Sequence, residues 1–183
     1  MSDLSLIKEL REKNGAGFLD CKNALSENDN DIEQSIDSLR KKGLAKATKK
    51  SSREANEGAI GFYKNENISV ILKINSETDF SAKSNTFLDF IDNIGEIAIN
   101  TNNINLELND FLKVEDNGKS ISTLLTEMIA KIGENLIISD LKVFDNKLGR
   151  VNYYIHNPYR KNVGKIVSAV FYSSEEENDK VIN

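Results

Sequence analysis

Gly58-Ala59-Ile60-Gly61-Phe62-Tyr63-Lys64-Asn65-Glu66-Asn67-Ile68-Ser69-Val70-Ile71-Leu72-Lys73-Ile74-Asn75, residues 58 to 75, decides the fold. In its second half Ile68, Val70, Leu72 and Ile74 take alternate positions, with Ser69, Ile71, Lys73 and Asn75 between them. That is the two-residue period of a strand with one buried face. Ala59, Ile60 and Phe62 make a shorter strand before it, and Asn65-Glu66-Asn67 supplies the polar turn. The segment is expected to be a β-hairpin with a well-marked core side.

C-terminal to the hairpin, after Ser76-Glu77-Thr78-Asp79-Phe80, the period changes. Phe87, Phe90, Ile91, Ile94, Ile97 and Ala98 share one helical face, the strongest such stripe in the chain, and the helix is expected to lie across the hairpin. An Asn-rich connection from 100 to 109 and a weak element near Phe111 lead to a second helix. It carries Ile121, Leu124, Leu125, Met128, Ile129 and Ile132 and is ended by Gly133. Strands are expected at 136 to 144, 150 to 156 and 163 to 172, with the sole proline, Pro158, in the loop between the last two.

N-terminal to the hairpin the pattern is all helical. Leu4, Ile7 and Leu10 form a stripe stopped by Asn14-Gly15-Ala16-Gly17, and a second helix follows on Phe18, Cys21, Ala24 and Leu25. The third buries Ile32, Ile36 and Leu39, with Asn30 as its cap and Glu33 reaching back, and with Gly43 ending it. The reading is therefore α+β: a three-helix bundle over 1 to 43, a basic linker over 44 to 57, an α+β core with an antiparallel sheet and packed helices over 58 to 175, and an acidic tail over 176 to 183.

Composition limits the function. The 183 residues are 39% hydrophobic and 29% charged with net charge −5, and no stretch approaches the ~20 apolar residues of a membrane-spanning helix. No basic region precedes an apolar run at the start of the chain, and one cysteine makes no disulfide, so a reducing, cytoplasmic location is expected. The single histidine, His156, has no nucleophile placed beside it and reads as a strand residue; with one cysteine besides, no zinc cluster assembles. Gly15-Ala16-Gly17 opens no strand-helix unit, so no nucleotide site is expected. The expectation is a protein without covalent chemistry, metal or cofactor. Cys21, at a core spacing, reads as a small buried hydrophobe.

Three features ask for more. Seven of the 24 Lys and Arg (Arg40, Lys41, Lys42, Lys46, Lys49, Lys50, Arg53) fall between 40 and 53 with no acid among them. Such an arm could attract RNA phosphates, but it lacks the interleaved aromatics that stack on single strands, and a solvated helix end plus linker is the simpler reading. Phe80 stands in a polar loop beside Asp79. On these residues alone, Thr78 or Asp79 caps the next helix and Phe80 staples its first turn; the other reading is a ring presented to a partner. Phe18 and Leu19 are adjacent, so one helical stripe cannot bury both, and one is expected to face a partner.

Leu-Arg-Glu-Lys-Asn-Gly-Ala-Gly-Phe-Leu-Asp-Cys-Lys-Asn-Ala-Leu (10 to 25), Thr-Asp-Phe-Ser-Ala-Lys (78 to 83), Lys-Ile-Gly-Glu-Asn (131 to 135) and Tyr-Ile-His (154 to 156) together resemble bacterial translation elongation factor Ts. The likeness runs from residue 4 to about 172. It implies a ubiquitin-associated-like N-terminal domain and the first half of the family's α+β core. It also implies a guanine-nucleotide exchange factor that binds elongation factor Tu in its GDP and nucleotide-free forms, with no DNA or membrane partner. Carried over, Thr78, Asp79, Phe80 and Ser81 would dislodge the partner's magnesium, and Arg11, Phe18 and Leu19 would dock the N-terminal domain. Ser81 departs from the small apolar residue usual there, and the family's second core half and helical hairpin have no counterpart in the sequence. An RNA- or protein-binding module using the basic arm 40 to 53, without exchange activity, is the alternative.

Overall fold

The computed structural model describes residues 4–173; the acidic tail expected at 176 to 183 lies outside them. The described chain forms helices α1 (Leu4–Asn14), α2 (Phe18–Glu27), α3 (Ile32–Lys50), α4 (Asp79–Ala82), α5 (Asn85–Asn100), α6 (Leu108–Phe111) and α7 (Ile121–Ile132). The strands are β1 (Glu57–Lys64), β2 (Ile68–Ser76), β3 (Glu115–Asp116), β4 (Lys119–Ser120), β5 (Leu136–Asp145), β6 (Arg150–Arg160) and β7 (Val163–Tyr172). They divide into two compact units. One holds the chain up to Glu54 together with Thr123–Asn135, the other Ala55–Ser122 and the chain from Leu136 onward.

In the helical unit Ile7, Leu10, Cys21, Ala24, Leu25 and Leu39 close a core, flanked by Leu6, Ala16, Ile32 and Ile36. Two expectations at α3 are corrected. Its cap is Asp31, whose side chain accepts the Gln34 N–H at 2.8 Å, because Asn30 is in the left-handed region (φ 64°) and cannot take the extended cap conformation. Nor does Gly43 end it: α3 continues to Lys50, so the first half of the linker expected at 44 to 57 is helix. The reason is packing. Gly43 is buried, and a Cβ there would lie 3.1 Å from the Ala130 Cβ of α7, so the glycine lets two helices approach closely. Ala47, one turn on, is buried too. Accordingly α7, read as part of the core, belongs from Thr123 with the helical unit. Lys50 Nζ donates to the Gly133 carbonyl just past the end of α7, and Asn135 Nδ2 donates to the Arg53 carbonyl at 2.7 Å.

The other unit is built on an antiparallel sheet of order β5-β2-β1-β7-β6. The hairpin stands as read, with Tyr63 opposite Val70, Gly61 opposite Leu72 and Ala59 opposite Ile74. Cross-strand partners share a face, so these six residues form one side of the sheet. Against that side α5 buries Phe87, Phe90, Ile91, Ile94 and Ala98. Tyr63 fixes the contact: added Cβ atoms at Gly61 and at Gly95 of α5 would fall 2.4 and 2.1 Å from its ring. The phenol donates to Asp92 Oδ1 at 3.0 Å. Burial first, then the Asp92 charge, push its pKa far above the usual tyrosine value, so it remains a donor. Arg160, at the end of β6, pairs with Asp89 (2.7 Å) and Asp92 (3.1 Å). At the other end of α5, Asn65 Nδ2 donates to the Ile99 carbonyl (2.8 Å) while its Oδ1 accepts the N–H of Asn67 and Ile68.

On the reverse face Phe62 stacks on Tyr153 (centroids 4.1 Å) and Phe144 on Phe171 (3.8 Å). The β6-β7 hairpin, held to β1 by two register pairs, thus folds over that face. Pro158 is in β6 and not in a loop. It is tolerated because β6 is an edge strand and its register shifts between Pro158 and Arg160. β3 and β4 add a small hairpin that the sequence analysis does not include; Asn117-Gly118, with φ of 50° and 75°, is the residue pair its tight turn demands.

If the Tyr63 slot holds α5 on the sheet, Gly95→Ala must displace the ring. The substitution is expected to cost about 1–3 kcal/mol, read from the urea unfolding midpoint. An unchanged midpoint would show that the slot has room to give.

Candidate functional site

Residues 77 to 84 turn the chain from the end of β2 into α5. Ser76 Oγ donates to the Thr78 carbonyl at 2.9 Å, fixing the turn at its start. Thr78, extended at φ −126°, caps α4 by accepting the Ser81 N–H at 3.2 Å, and Ser84 caps α5 by accepting the Phe87 N–H at 3.2 Å. Two helix caps six residues apart leave α4 as a single turn between them.

That turn has two sides. Ser81 and Ala82 are buried, while Phe80 is 86% exposed. The staple reading of Phe80 is therefore overturned: the ring packs on no first turn and stands in solvent. The cap reading is corrected too: Thr78 caps only the single turn α4, and the helix carrying Phe87 is capped by Ser84. Asp79 is half-exposed and pairs with Lys83 at 2.9 Å. The Lys83 hydrogen bond is the main cause that holds the Asp79 carboxyl below the usual aspartate range. The loop brings a bare phenyl ring and a carboxylate onto one short turn capped by Thr78. Ser81 sits on the inner side, and its buried Oγ has no hydrogen-bond partner. A small apolar side chain would suit that environment better.

In the helical unit, Arg11 is exposed in the last turn of α1, and Phe18 and Leu19 open α2 at 47% and 66% exposure. Phe18, read as part of the buried stripe, is thus corrected. At the first position of α2 its side chain leans toward the helix N-terminus, past the bundle, and the buried stripe is Cys21, Ala24 and Leu25. Both adjacent apolar residues face outward, where the sequence required only one. Cys21 is buried, and burial raises its thiol pKa, the state of an unreactive core cysteine.

The basic run is not an extended arm. Through Lys50 it lies on α3, where Lys42 pairs with Glu27 (2.6 Å), Arg40 reaches Asp37 (4.0 Å) and Lys50 is taken by the Gly133 carbonyl. His156 is an exposed β6 residue whose ring lies 6.2 Å from that of Tyr154. Among the described residues no helix is long and apolar enough to cross a membrane.

A family model described as elongation factor TS matches residues 77–182, beginning at this turn. Elongation factor Ts of Allorhizobium ampelinum is 44% identical over 165 residues, covering 88% of this chain and 52% of the relative. The Rickettsia prowazekii protein of that name is 41% identical over 187 residues, 99% of this chain and 59% of the relative, and that of Rhodospirillum centenum 38% over 183 residues. The chain spans about half the length of the curated relatives it matches.

The orphaned hydroxyl at Ser81 yields a prediction. Ser81→Ala is expected to raise stability by about 1 kcal/mol, since it removes a buried polar atom that bonds to nothing. A lower denaturation midpoint would show that the hydroxyl has a partner in solution.

Proposed function

The chain belongs to the elongation factor Ts family, and from that premise we propose that it is a guanine-nucleotide exchange factor, binding elongation factor Tu and promoting GDP release by displacing the partner's magnesium. The observation that carries this reading is Phe80, a whole aromatic ring left in water on a capped turn whose other side is anchored in the core. Exposing a phenyl ring forgoes roughly 1.5–3 kcal/mol that burial would return. The same unit buries Phe62, Tyr63, Phe87, Phe90 and Phe111, and packing gives the Phe80 ring no such role.

The physics is a coupling. A protein that binds the nucleotide-free partner more tightly than the GDP-bound one must weaken GDP by the same factor. In the proposal Phe80 enters a pocket of the partner that opens when the magnesium region yields, and Asp79 acts through its charge beside the metal. Magnesium neutralises phosphate charge, so its loss removes a large favourable term for the nucleotide. No bond of either protein is made or broken. Arg11, Phe18 and Leu19 supply a second contact surface. It serves affinity. The alternative, RNA capture by residues 40 to 53, is weakened by the helical, partly paired state of that run.

Release of fluorescent GDP from elongation factor Tu, with and without this chain, is the test. Phe80→Ala is expected to lower the maximal release rate by about 10- to 150-fold while leaving thermal stability unchanged, because the ring is exposed. Asp79→Asn is expected to have a smaller effect, weakening further in salt. Acceleration that survives Phe80→Ala at full rate would remove the intrusion mechanism, and salt-sensitive RNA retention without acceleration would favour the alternative.

A further inference from the structure

The single turn of α4 needs a fastener on its exposed side. Four residues make few backbone bonds: Ala82 N–H to Thr78 O and Lys83 N–H to Asp79 O, both at 3.2 Å, with Ser84 N–H to Ser81 O at 3.0 Å just beyond. One isolated turn is not stable by itself. Ser81 and Ala82 hold its inner side by burial. On the outer side Phe80 packs on nothing, and an exposed ring is drawn toward any nearby apolar surface.

We propose that Lys83 is a positioning residue for Phe80: its ion pair with Asp79 spans the turn of α4 and keeps it closed, so that the ring is presented before any partner arrives. This rests on the exchange reading of the same loop and adds a residue to it. Asp79 and Lys83 stand at positions i and i+4, with the acid toward the helix N-terminus, the favourable order, and the 2.9 Å separation is a charge-assisted hydrogen bond. The ammonium also lies 6.0 Å from the centre of the Tyr159 ring of β6, at the limit of cation–π reach. Glu57, another carboxylate acting on Lys83, is itself paired with Lys165 at 2.5 Å, which leaves Asp79 as the carboxylate that Lys83 bonds. The pair thus closes the turn and is not diverted.

A fastener of this kind pays its ordering cost in the free protein. Its loss should raise the concentration of chain needed for half-maximal GDP release and leave the maximal rate intact, the opposite of the Phe80→Ala result. Lys83→Met keeps the stem beside Tyr159 and removes the charge; Lys83→Arg restores it. Lys83→Met is expected to raise the half-saturating concentration about 1.4- to 2.3-fold, with Lys83→Arg near wild type and the difference vanishing in high salt. In the free protein, amide hydrogen exchange at Ala82 and Lys83, measured by NMR, is expected to speed up by a similar factor. Unchanged amide exchange in Lys83→Met overturns the proposal, as does a fall in maximal rate at unaltered half-saturation, which would make Lys83 a partner contact. Should the wild-type chain fail to accelerate release at all, the exchange reading falls, and the amide measurement still decides the role of Lys83.

Discussion

The sheet unit depends on one constraint, the seating of the Tyr63 ring between Gly61 of its own strand and Gly95 of α5. No side chain larger than hydrogen fits at either glycine without moving the ring, so the helix can cross the hairpin at one height and rotation. The phenol then bonds Asp92, and Asp92 shares Arg160 with Asp89. Sheet, helix and edge hairpin are tied through a single chain of contacts. A buried tyrosine with a satisfied hydroxyl specifies geometry in a way that an aliphatic side chain cannot, because the hydrogen bond fixes direction as well as contact.

That seating matters for the turn at 77 to 84, which has no core of its own. It borrows rigidity from both ends: Ser76 closes β2, Ser84 starts α5, and α5 is held by Arg160 near its start and by Asn65 at its finish. With both ends fixed, the conformations left to α4 are few, and burial of Ser81 and Ala82 selects the one that turns Phe80 outward. Exposure of the ring is thus a consequence of packing on the inner side of the turn, with the Asp79–Lys83 pair across its outer side, and not of looseness.

The hairpin, α5 and α7 were legible because each rests on a strict period of apolar residues, which survives any detail of tertiary packing. What was missed shares a different origin. Gly43 carries the same letter whether it ends a helix in the left-handed region or lets another helix approach, and the difference lies in Ala130, 87 positions away. Phe18 matches the buried stripe by spacing, yet a first-turn residue overhangs the bundle. Pro158 marks a loop locally and an edge strand globally. Asp31 displaced Asn30 as cap through one backbone angle. At the candidate site the motif was visible but its orientation was not: nothing local separates a staple from a displayed ring, since that depends on whether Ser81 or Phe80 faces the sheet.

In the proposed reading, Phe18 with Leu19 on one unit and Phe80 on the other divide the work of an exchange factor along a physical line. Phe18 and Leu19 make a surface whose contacts need not distinguish the partner's nucleotide states, and contacts made equally to both states change affinity and nothing else. Under the proposed mechanism the Asp79-Phe80 turn acts in the nucleotide-free state alone, because a ring that occupies the space vacated near the metal has no place when the metal is present. Only the second kind of contact contributes to the coupling. On that proposal, activity and affinity are separable properties. Shrinking the docking surface shifts the concentration at which exchange is half-maximal, whereas blunting the turn lowers the rate at saturation whatever the affinity. The proposed coupling thus depends on the frame of Tyr63, Asp92 and Arg160, which holds the turn in place.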